Sequence, residues 1–162
     1  MGVRVKTLLI IYAGHPGGRT ARLVAAAREG VAQVVDELGE ESVRVCCVPA
    51  LQATAEDVRA AQAVLLATPE HFGYMAGAMK HFFDTTFYAL EPHTLGLPYA
   101  LLVSAGQDGT GTLTAMERII TGYRWKRVAP PLLVVGEPTP EHFAVARELA
   151  ASLAAGIVVG VF

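Results

Sequence analysis

Short runs of apolar and β-branched residues alternate along this chain with longer segments in which apolar residues recur at helical spacing. The first pattern predicts buried strands, and the second predicts helices that bury one face. Five strands are predicted, at Val5–Tyr12, Val43–Val48, Ala63–Thr68, Tyr99–Ala105 and Leu132–Gly136. Five helices are predicted, at about Thr20–Leu38, at Ala55–Ala61, at Ala76–Tyr88, after Gly111 as far as Tyr123, and from Pro140 onward behind a Thr139 cap.

The longer helices have apolar stripes that indicate which side chains face the core. The stripe of the first helix is Leu23, Ala27, Val31, Val34, Val35 and Leu38, and Gly39 suits a left-handed end. The later stripes are Met79, Phe82, Phe83 and Phe87, then Leu113, Met116, Ile119, Ile120 and Tyr123, then Phe143, Ala146, Leu149 and Leu153. These stripes predict helices that each cover one face of a sheet.

Regular alternation of strand and helix predicts an α/β three-layer sandwich, with a five-stranded parallel sheet and helices on both faces. Right-handed crossovers favour the strand order 2-1-3-4-5, which is that of the flavodoxin-like fold. The 162 residues contain no repeat and no long linker, so a single domain is expected over residues 1–162. In this order ligands bind beyond the carboxyl ends of the strands, at the switch between the first and third strands.

Composition agrees with a sheet that is covered on both faces. The chain is 52% hydrophobic and 17% charged, against roughly 25% charged in an average globular chain. That much apolar surface needs either full cover by helices or a partner subunit. The net charge of −2 provides no basic field, so no nucleic-acid partner is expected.

Two further features favour a cytoplasmic protein. Cys46 and Cys47 are adjacent in a strand and point to opposite faces, so no disulfide is expected and a reducing compartment fits. Residues 1–14 contain one short apolar stretch, which Arg4 and Lys6 interrupt. It falls short of the roughly 18 apolar residues of a membrane span, and no signal-peptide cleavage site follows. No association with a membrane is therefore expected.

The loop between the first strand and the first helix has the residues of an anion site. Its glycines let several backbone N–H groups converge at a helix N-terminus, which carries partial positive charge. His15 and Arg19 add donors, and Thr20 adds a hydroxyl. The residues predicted to bind the anion are His15, Pro16, Gly17, Gly18, Arg19 and Thr20. For this loop alone, the alternative is a tight strand-to-helix turn without a ligand.

The residues present exclude several other uses of this position. The loop matches neither G-x-x-x-x-G-K-[ST] nor G-x-G-x-x-G. It lacks the acidic residues of a response regulator and the cysteine of a low-molecular-weight phosphatase. Ser104 is not part of a G-x-S-x-G elbow. The five histidines have no ligand spacing, so no metal site is expected.

Two more loops follow strands that should end at the same edge of the sheet. The second, Thr68–Gly77, has aromatic residues that suit the wall of a flat ring, with Gly73 and Gly77 letting the main chain approach the ring edge. The third, Ser104–Gly111, is polar and glycine-rich and suits the polar edge of a flavin. The candidate residues are Pro69, Glu70, His71, Phe72, Gly73, Tyr74 and Met75 in the second loop, and Ser104, Ala105, Gly106, Gln107 and Gly109 in the third. The alternatives are that Phe72 and Met75 fold into the core, and that the third loop is an ordinary connection.

The segment Thr68–Asp84, TPEHFGYMAGAMKHFFD, resembles the flavin segment of the NADPH-dependent FMN reductases. It is also similar to that of the tryptophan-repressor-binding-protein type of NAD(P)H:quinone oxidoreductase, whose first loop has the length seen here between Tyr12 and Thr20. The resemblance implies FMN bound by the loops after the first, third and fourth strands, and two-electron chemistry driven by NAD(P)H. Ala13 stands where the family usually has Ser.

The leading hypothesis is an FMN-dependent oxidoreductase that uses NAD(P)H to reduce a quinone, a flavin or a similar small acceptor. The cofactor carries the hydride chemistry, so no side chain is assigned as catalytic. Tyr74 is expected to form a wall of the nicotinamide or substrate space. Two alternatives stay open: a flavodoxin-type electron carrier, although carriers dock through charged surfaces and the net charge is only −2, and a binding protein of this fold without enzymatic activity.

The chain ends in an uncharged segment, Gly156–Phe162, with the β-branched content of a strand. Left exposed, such a segment promotes aggregation, so we expect a homodimer or homotetramer with the flavin edge near the interface. The resemblance implies the same, because such reductases usually complete their pockets between subunits. The alternative is a monomer whose last segment packs on its own first helix.

Overall fold

Strands and helices alternate through the residues that the computed structural model describes, 4–39 and 41–162. The strands are β1 (Lys6–Tyr12), β2 (Val43–Pro49), β3 (Ala63–His71), β4 (Tyr74–Met75), β5 (Pro98–Ala105), β6 (Lys126–Arg127) and β7 (Leu132–Val135). The helices are α1 (Arg19–Leu38), α2 (Ala55–Arg59), α3 (Gly77–Leu90), α4 (Thr110–Tyr123) and α5 (Pro140–Val159). The expectation about residues 1–14 falls partly on residues 1–3, which lie outside the described residues.

The main strands form a parallel sheet in the predicted order. β2, β1, β3 and β5 lie side by side, and both β6 and β7 pair with β5. β6 pairs with the start of β5 and β7 with its end, and Pro130 and Pro131 lie between β6 and β7. Proline has no N–H to give to a ladder, which explains why this edge of the sheet is split into two short strands. The flavodoxin-like three-layer arrangement and its 2-1-3-4-5 order are confirmed.

Alternate residues of each strand point into two separate cores. Leu8 and Ile10 of β1 lie in a core with residues of α1 and α5, whereas Leu9 and Ile11 lie in a core with residues of α3 and α4. In β3, every residue from Ala63 to Thr68 is buried, as in a parallel strand that is covered on both faces. The apolar composition of the chain is therefore largely taken up by these two cores.

α1 and α5 pack so closely that their main chains are in contact at Gly30 and Arg147. A Cβ atom on Gly30 would overlap the main-chain carbonyl of Arg147, so only glycine allows this approach. Alone among the described helices, α5 is long and apolar enough to cross a membrane by length and composition, with a mean hydropathy of 1.4. In this fold, Ala146, Leu149 and Leu153 of α5 lie in the first core.

Two expectations for the helices are wrong. Leu38 is 48% exposed, because it is the last residue of α1 and lies beside the exposed Gly39. Gly156 and the three residues after it continue α5 rather than forming a strand. Ile157 is buried, and the ring of Phe162 lies where a Cβ of Gly156 would be. Packing of α5 on the core thus outweighs the strand propensity of its last β-branched residues.

Tyr123 of α4 is fully buried in the second core, among the rings of Phe83, Phe87 and Trp125. Its hydroxyl donates to the carbonyl oxygen of Phe83 at 2.7 Å and lies 3.0 Å from Thr86 Oγ1. Burial raises the pKa of this phenol from 10.0 to about 12. The folded protein therefore holds the phenol neutral over a pH range in which the unfolded chain ionises.

We predict that the free energy of unfolding falls as the pH rises from 10.0 to about 12, because the unfolded chain then loses the Tyr123 proton and the folded chain keeps it. Tyr123→Phe removes the hydrogen bond of the phenol, so its free energy of unfolding near neutral pH should be lower than that of the wild type by about 1 kcal/mol. Between neutral and alkaline pH, its free energy of unfolding should fall less than that of the wild type. Urea unfolding at about pH 8 and about pH 11 measures both effects. Tyr88→Phe, on the exposed side of α3, is the control. Equal alkaline losses in Tyr123→Phe and the wild type would contradict the prediction.

Candidate functional site

The carboxyl ends of β1, β3 and β5 meet at one cleft of about 170 Å³. All three predicted loops contribute to it. Its lining is Gly14, His15, Gly18, Arg19, Thr20, Pro69, Glu70, His71, Ser104 and Gly106. Loops that are far apart in the sequence thus form one continuous surface, as the parallel topology predicts.

α1, which starts at this cleft, differs from α2 and α5 at its first turn. Thr54 and Thr139 close the N-termini of α2 and α5 with capping boxes. α1, α3 and α4 begin after Gly18, Ala76 and Gly109, and within the described residues no side chain caps them. The first N–H groups of a helix have no intrahelical acceptor. In α1, whose first residues line the cleft, the N–H groups that follow Gly18 stay available, with the positive end of the helix dipole, to a ligand or to water. In α3, the N–H groups of Ala76 and Met79 already donate to Thr68 Oγ1 and to the Ala76 carbonyl.

The first loop folds as a polar cradle at the start of α1. Gly14 and Gly17 have φ angles of 114° and 73°, a region that favours glycine. Gly18 N–H donates to the carbonyl of His15 at 3.0 Å, which closes a turn. The side chains of His15 and Arg19 are exposed at the rim.

Thr20 and Ser104 link the first and third loops at the floor of the cleft. Their hydroxyl oxygens lie 2.6 Å apart, and both side chains are buried. One hydroxyl hydrogen makes this bond, so the other stays available to an acceptor above the pair. Ala13, which opens this loop, is buried and its N–H donates to the carbonyl of Ala67 at 2.9 Å. With Ala13 at that position, the donors that this loop offers are the first N–H groups of α1 and the Thr20 hydroxyl.

Two residues near the rim were not identified from the sequence. The carboxylate of Glu137, which follows β7, lies 2.6 Å from Arg22 Nη1 and 3.6 Å from Arg19 Nε. The hydrogen bond from Arg22 holds the pKa of Glu137 below its ordinary value. Exposed ion pairs of this kind add little to stability, so their main effect here is on the position of the Arg19 side chain. The contact joins distant parts of the chain, and no local motif signals it.

The second loop is a β-hairpin rather than an irregular loop. β3 continues to His71, and β4 returns antiparallel to it, pairing Glu70 with Met75 and His71 with Tyr74. The two-residue turn consists of Phe72 and Gly73, with φ angles of 54° and 74°. Positive φ at both positions is the signature of a type I′ turn. Phenylalanine rarely adopts this conformation, which explains why the sequence did not predict the hairpin.

The hairpin separates the predicted aromatic and apolar residues. Phe72 is at the tip with a relative exposure of 107%, and Tyr74 is 39% exposed. Met75 is only 2% exposed and packs in the second core. The expectation that the Met75 side chain belongs to the site is therefore wrong, and the alternative that it folds into the core holds, because neighbouring strand residues point to opposite faces. The aromatic rings of Phe72 and Tyr74 remain accessible beside the cleft.

The third loop divides in a similar way. Gly106 and Gln107 are exposed at the rim, whereas Ala105 is buried at the end of β5. A Cβ on Gly109 would overlap the Leu133 side chain, so Gly109 serves the packing of α4 against β7. Gly109 was expected to contact the ligand, and its burial against Leu133 corrects that expectation. The part of the third loop that faces the cleft and its rim is therefore Ser104, Gly106 and Gln107.

The family model of the NADPH-dependent FMN reductases matches residues 6–138 of this chain. The chain belongs to this family. It is 27% identical over 129 residues to an NAD(P)H dehydrogenase (quinone) of Trichlorobacter lovleyi, a match that covers 78% of this chain and 60% of that one. It is 43% identical over 63 residues to an NAD(P)H-dependent FMN reductase of Pseudomonas aeruginosa, with 38% and 34% covered.

This member of the FMN reductase family thus spans less than two thirds of the length of those two relatives. Among solved structures, a flavodoxin from the domain Archaea superposes with a TM-score of 0.78 at 17% identity, over 93% of this chain and 98% of that one. At this level of identity the likeness shows the fold.

The donors of the cleft fit FMN. A phosphate needs several N–H donors and positive charge, which the uncapped first turn of α1 and Arg19 supply. Ribityl hydroxyls need polar partners, which Thr20 and Ser104 offer, and the ring needs a flat wall, which the hairpin offers. In the described part of the chain, no group of three or more His, Cys, Asp or Glu side chains could hold a metal ion. Cys46 and Cys47 are both free.

Gly73 provides a test of the hairpin. Apart from Gly73 itself and its two chain neighbours, no described atom lies within 4 Å of a Cβ built there, so the space beside the turn is open, but the φ of 74° strains any L residue. Gly73→Val would therefore destabilise the fold, because the strain should cost about 1–3 kcal/mol. Gly73→Asn tolerates this φ better, and it still places a side chain in the open space.

We predict that Gly73→Asn and Gly73→Val both weaken FMN binding, and that only Gly73→Val lowers the melting temperature appreciably. Quenching of FMN fluorescence measures the affinity, and thermal unfolding of the apoprotein measures the stability. If Gly73→Asn bound FMN as tightly as the wild type, the space beside the turn would not belong to the flavin site.

Proposed function

We propose that this protein binds FMN in the cleft between the first loop, the β3–β4 hairpin and the third loop, and acts as an NAD(P)H-dependent oxidoreductase on a small acceptor such as a quinone or a free flavin. The observation that carries the proposal is the uncapped N-terminus of α1 in the lining of this cleft, beside an exposed aromatic hairpin. Bound FMN supplies the hydride chemistry of such an enzyme.

The protein's own residues bind and orient in this proposal. His15, Arg19 and the first N–H groups of α1 hold the phosphate, because they combine donors with positive charge. Residues 69–74 lie along the ring, and Ser104, Gly106 and Gln107 provide hydrogen-bonding groups at its polar edge. Tyr74 borders the space for the nicotinamide or the acceptor. No side chain needs to act as acid or base, since the reacting atoms belong to the cofactor and the substrates.

We predict that the purified protein is yellow or binds added FMN with a Kd below about 100 μM, equivalent to about −5.5 kcal/mol. It should oxidise NADH or NADPH when a quinone is supplied. The visible spectrum and the decrease of nicotinamide absorbance measure the two steps separately. FMN binding without NAD(P)H oxidation would support an electron carrier instead, and absence of FMN binding would overturn the proposal.

We also propose that the protein is a homodimer or homotetramer of the cytoplasm, with the flavin edge near the subunit interface. Phe72, Tyr88, Leu95 and Val161 are exposed apolar side chains of the kind that subunit contacts bury. Phe72 lies at the tip of the hairpin that borders the cleft, which puts one such side chain at the flavin edge. Free Cys46 and Cys47 fit a reducing compartment.

We predict a mass above one subunit of 17.1 kDa by light scattering at micromolar concentration. Deleting residues 160–162 should shift the oligomer toward monomer and reduce turnover more than FMN affinity. This deletion removes no residue of α5, although it removes the Gly160 cap and the Phe162 ring that covers Gly156, whereas removing Ile157 would open the core. A single subunit mass for the wild type would contradict the proposed oligomer.

A further inference from the structure

The tip of the β3–β4 hairpin sits on the first turn of α4. A Cβ atom built on Gly111 would lie 2.8 Å from the carbonyl oxygen of Gly73 and 3.8 Å from its carbonyl carbon. A separation of 2.8 Å is well inside van der Waals contact between carbon and oxygen. The close approach exists because residue 111 has no side chain.

A second contact joins the same two elements. Thr112, which is fully buried, donates its hydroxyl to Glu70 Oε2 at 3.4 Å. Glu70 lies in β3 directly opposite Met75 of β4, so this bond reaches the base of the hairpin while Gly111 meets its tip. The carbonyl of Gly73 also lies at the positive end of the α4 dipole, which favours its partial negative charge.

The tip has little other support. No described atom other than its chain neighbours lies within 4 Å of the Gly73 Cβ position, and Phe72 is fully exposed. Phe72 nevertheless has a φ of 54°, a conformation that persists only when its surroundings impose it. The first turn of α4 is thus the part of the fold that fixes where the tip lies.

We propose that Gly111 is a positioning residue for the flavin: its missing side chain lets the Gly73 carbonyl seat on α4, and this seat holds the hairpin at the distance at which it can lie along the ring. The inference rests on the proposed FMN site. A methyl group at residue 111 must displace the Gly73 carbonyl by roughly half an ångström to reach normal contact. Binding sites tolerate about that much error before affinity falls.

The test compares Gly111→Ala with Gly122→Ala, which makes the same change near the other end of α4. Gly122 is exposed, and its added methyl group would meet the Phe87 ring at an ordinary 3.5 Å. We expect Gly111→Ala to weaken FMN binding about tenfold or more and Gly122→Ala to leave it unchanged. The apoproteins should melt within a few degrees of the wild type, since Gly→Ala in a helix offsets part of any strain.

Amide chemical shifts of the apoproteins provide a readout that does not depend on flavin. Gly111→Ala should move the resonances of Phe72, Gly73 and Tyr74, and Gly122→Ala should not. If Gly111→Ala bound FMN as tightly as the wild type, or if the hairpin resonances did not move, the proposed role of Gly111 in positioning the hairpin would be wrong. If the wild type itself bound no FMN, the proposed function would fail, while the amide shifts would still decide the contact. If Gly111→Ala does not fold, Thr112→Val must weaken FMN binding for the inference to stand.

Discussion

β1 and β3 lie side by side in the sheet, in register from Leu8 with Ala63 to Tyr12 with Ala67. The chain leaves β1 for α1, which packs in the first core, and leaves β3 for α3, which packs in the second. Neighbouring strands whose helices go to opposite faces leave a crevice at their carboxyl ends. The cleft exists because of this divergence, and the bond between Thr20 and Ser104 closes its floor.

Helix capping shows how local sequence adapts to that crevice. The outer helices α2 and α5 satisfy their first N–H groups with Thr54 and Thr139. A capping side chain of this type is worth about 1 kcal/mol to a helix. α1, which starts at the cleft after Gly18, forgoes that contribution. The first N–H groups of α1 are left for an external acceptor, so an anion that bound there would stabilise the fold.

Regular elements were predictable because each depends on a repeating local pattern. The strand from Ala63 to Thr68 is apolar on both faces, and Thr139 with Pro140 fixes the start of α5 within the sequence itself. The three site loops were predictable because parallel topology brings them to one edge. The hairpin was not, since Phe72 adopts a conformation that its residue type rarely takes. The ion pairs of Glu137 with Arg19 and Arg22 were not predictable either, because these residues are far apart in the sequence and only the fold brings them together.

Gly73 and Gly111 show why residue type alone leaves such sites undetermined. Gly73 is required by its own backbone, whose φ of 74° a branched side chain resists, although the space around it is open. Gly111 has no positive φ. It must be glycine for a steric reason, because a Cβ atom there would overlap the Gly73 carbonyl oxygen. The sequence presents both as glycines in loops at one edge of the sheet. The two roles become distinguishable only in the folded chain, where the hairpin lies against α4. Gly73 then shapes the turn of the hairpin, and Gly111 allows the hairpin to lie close to α4.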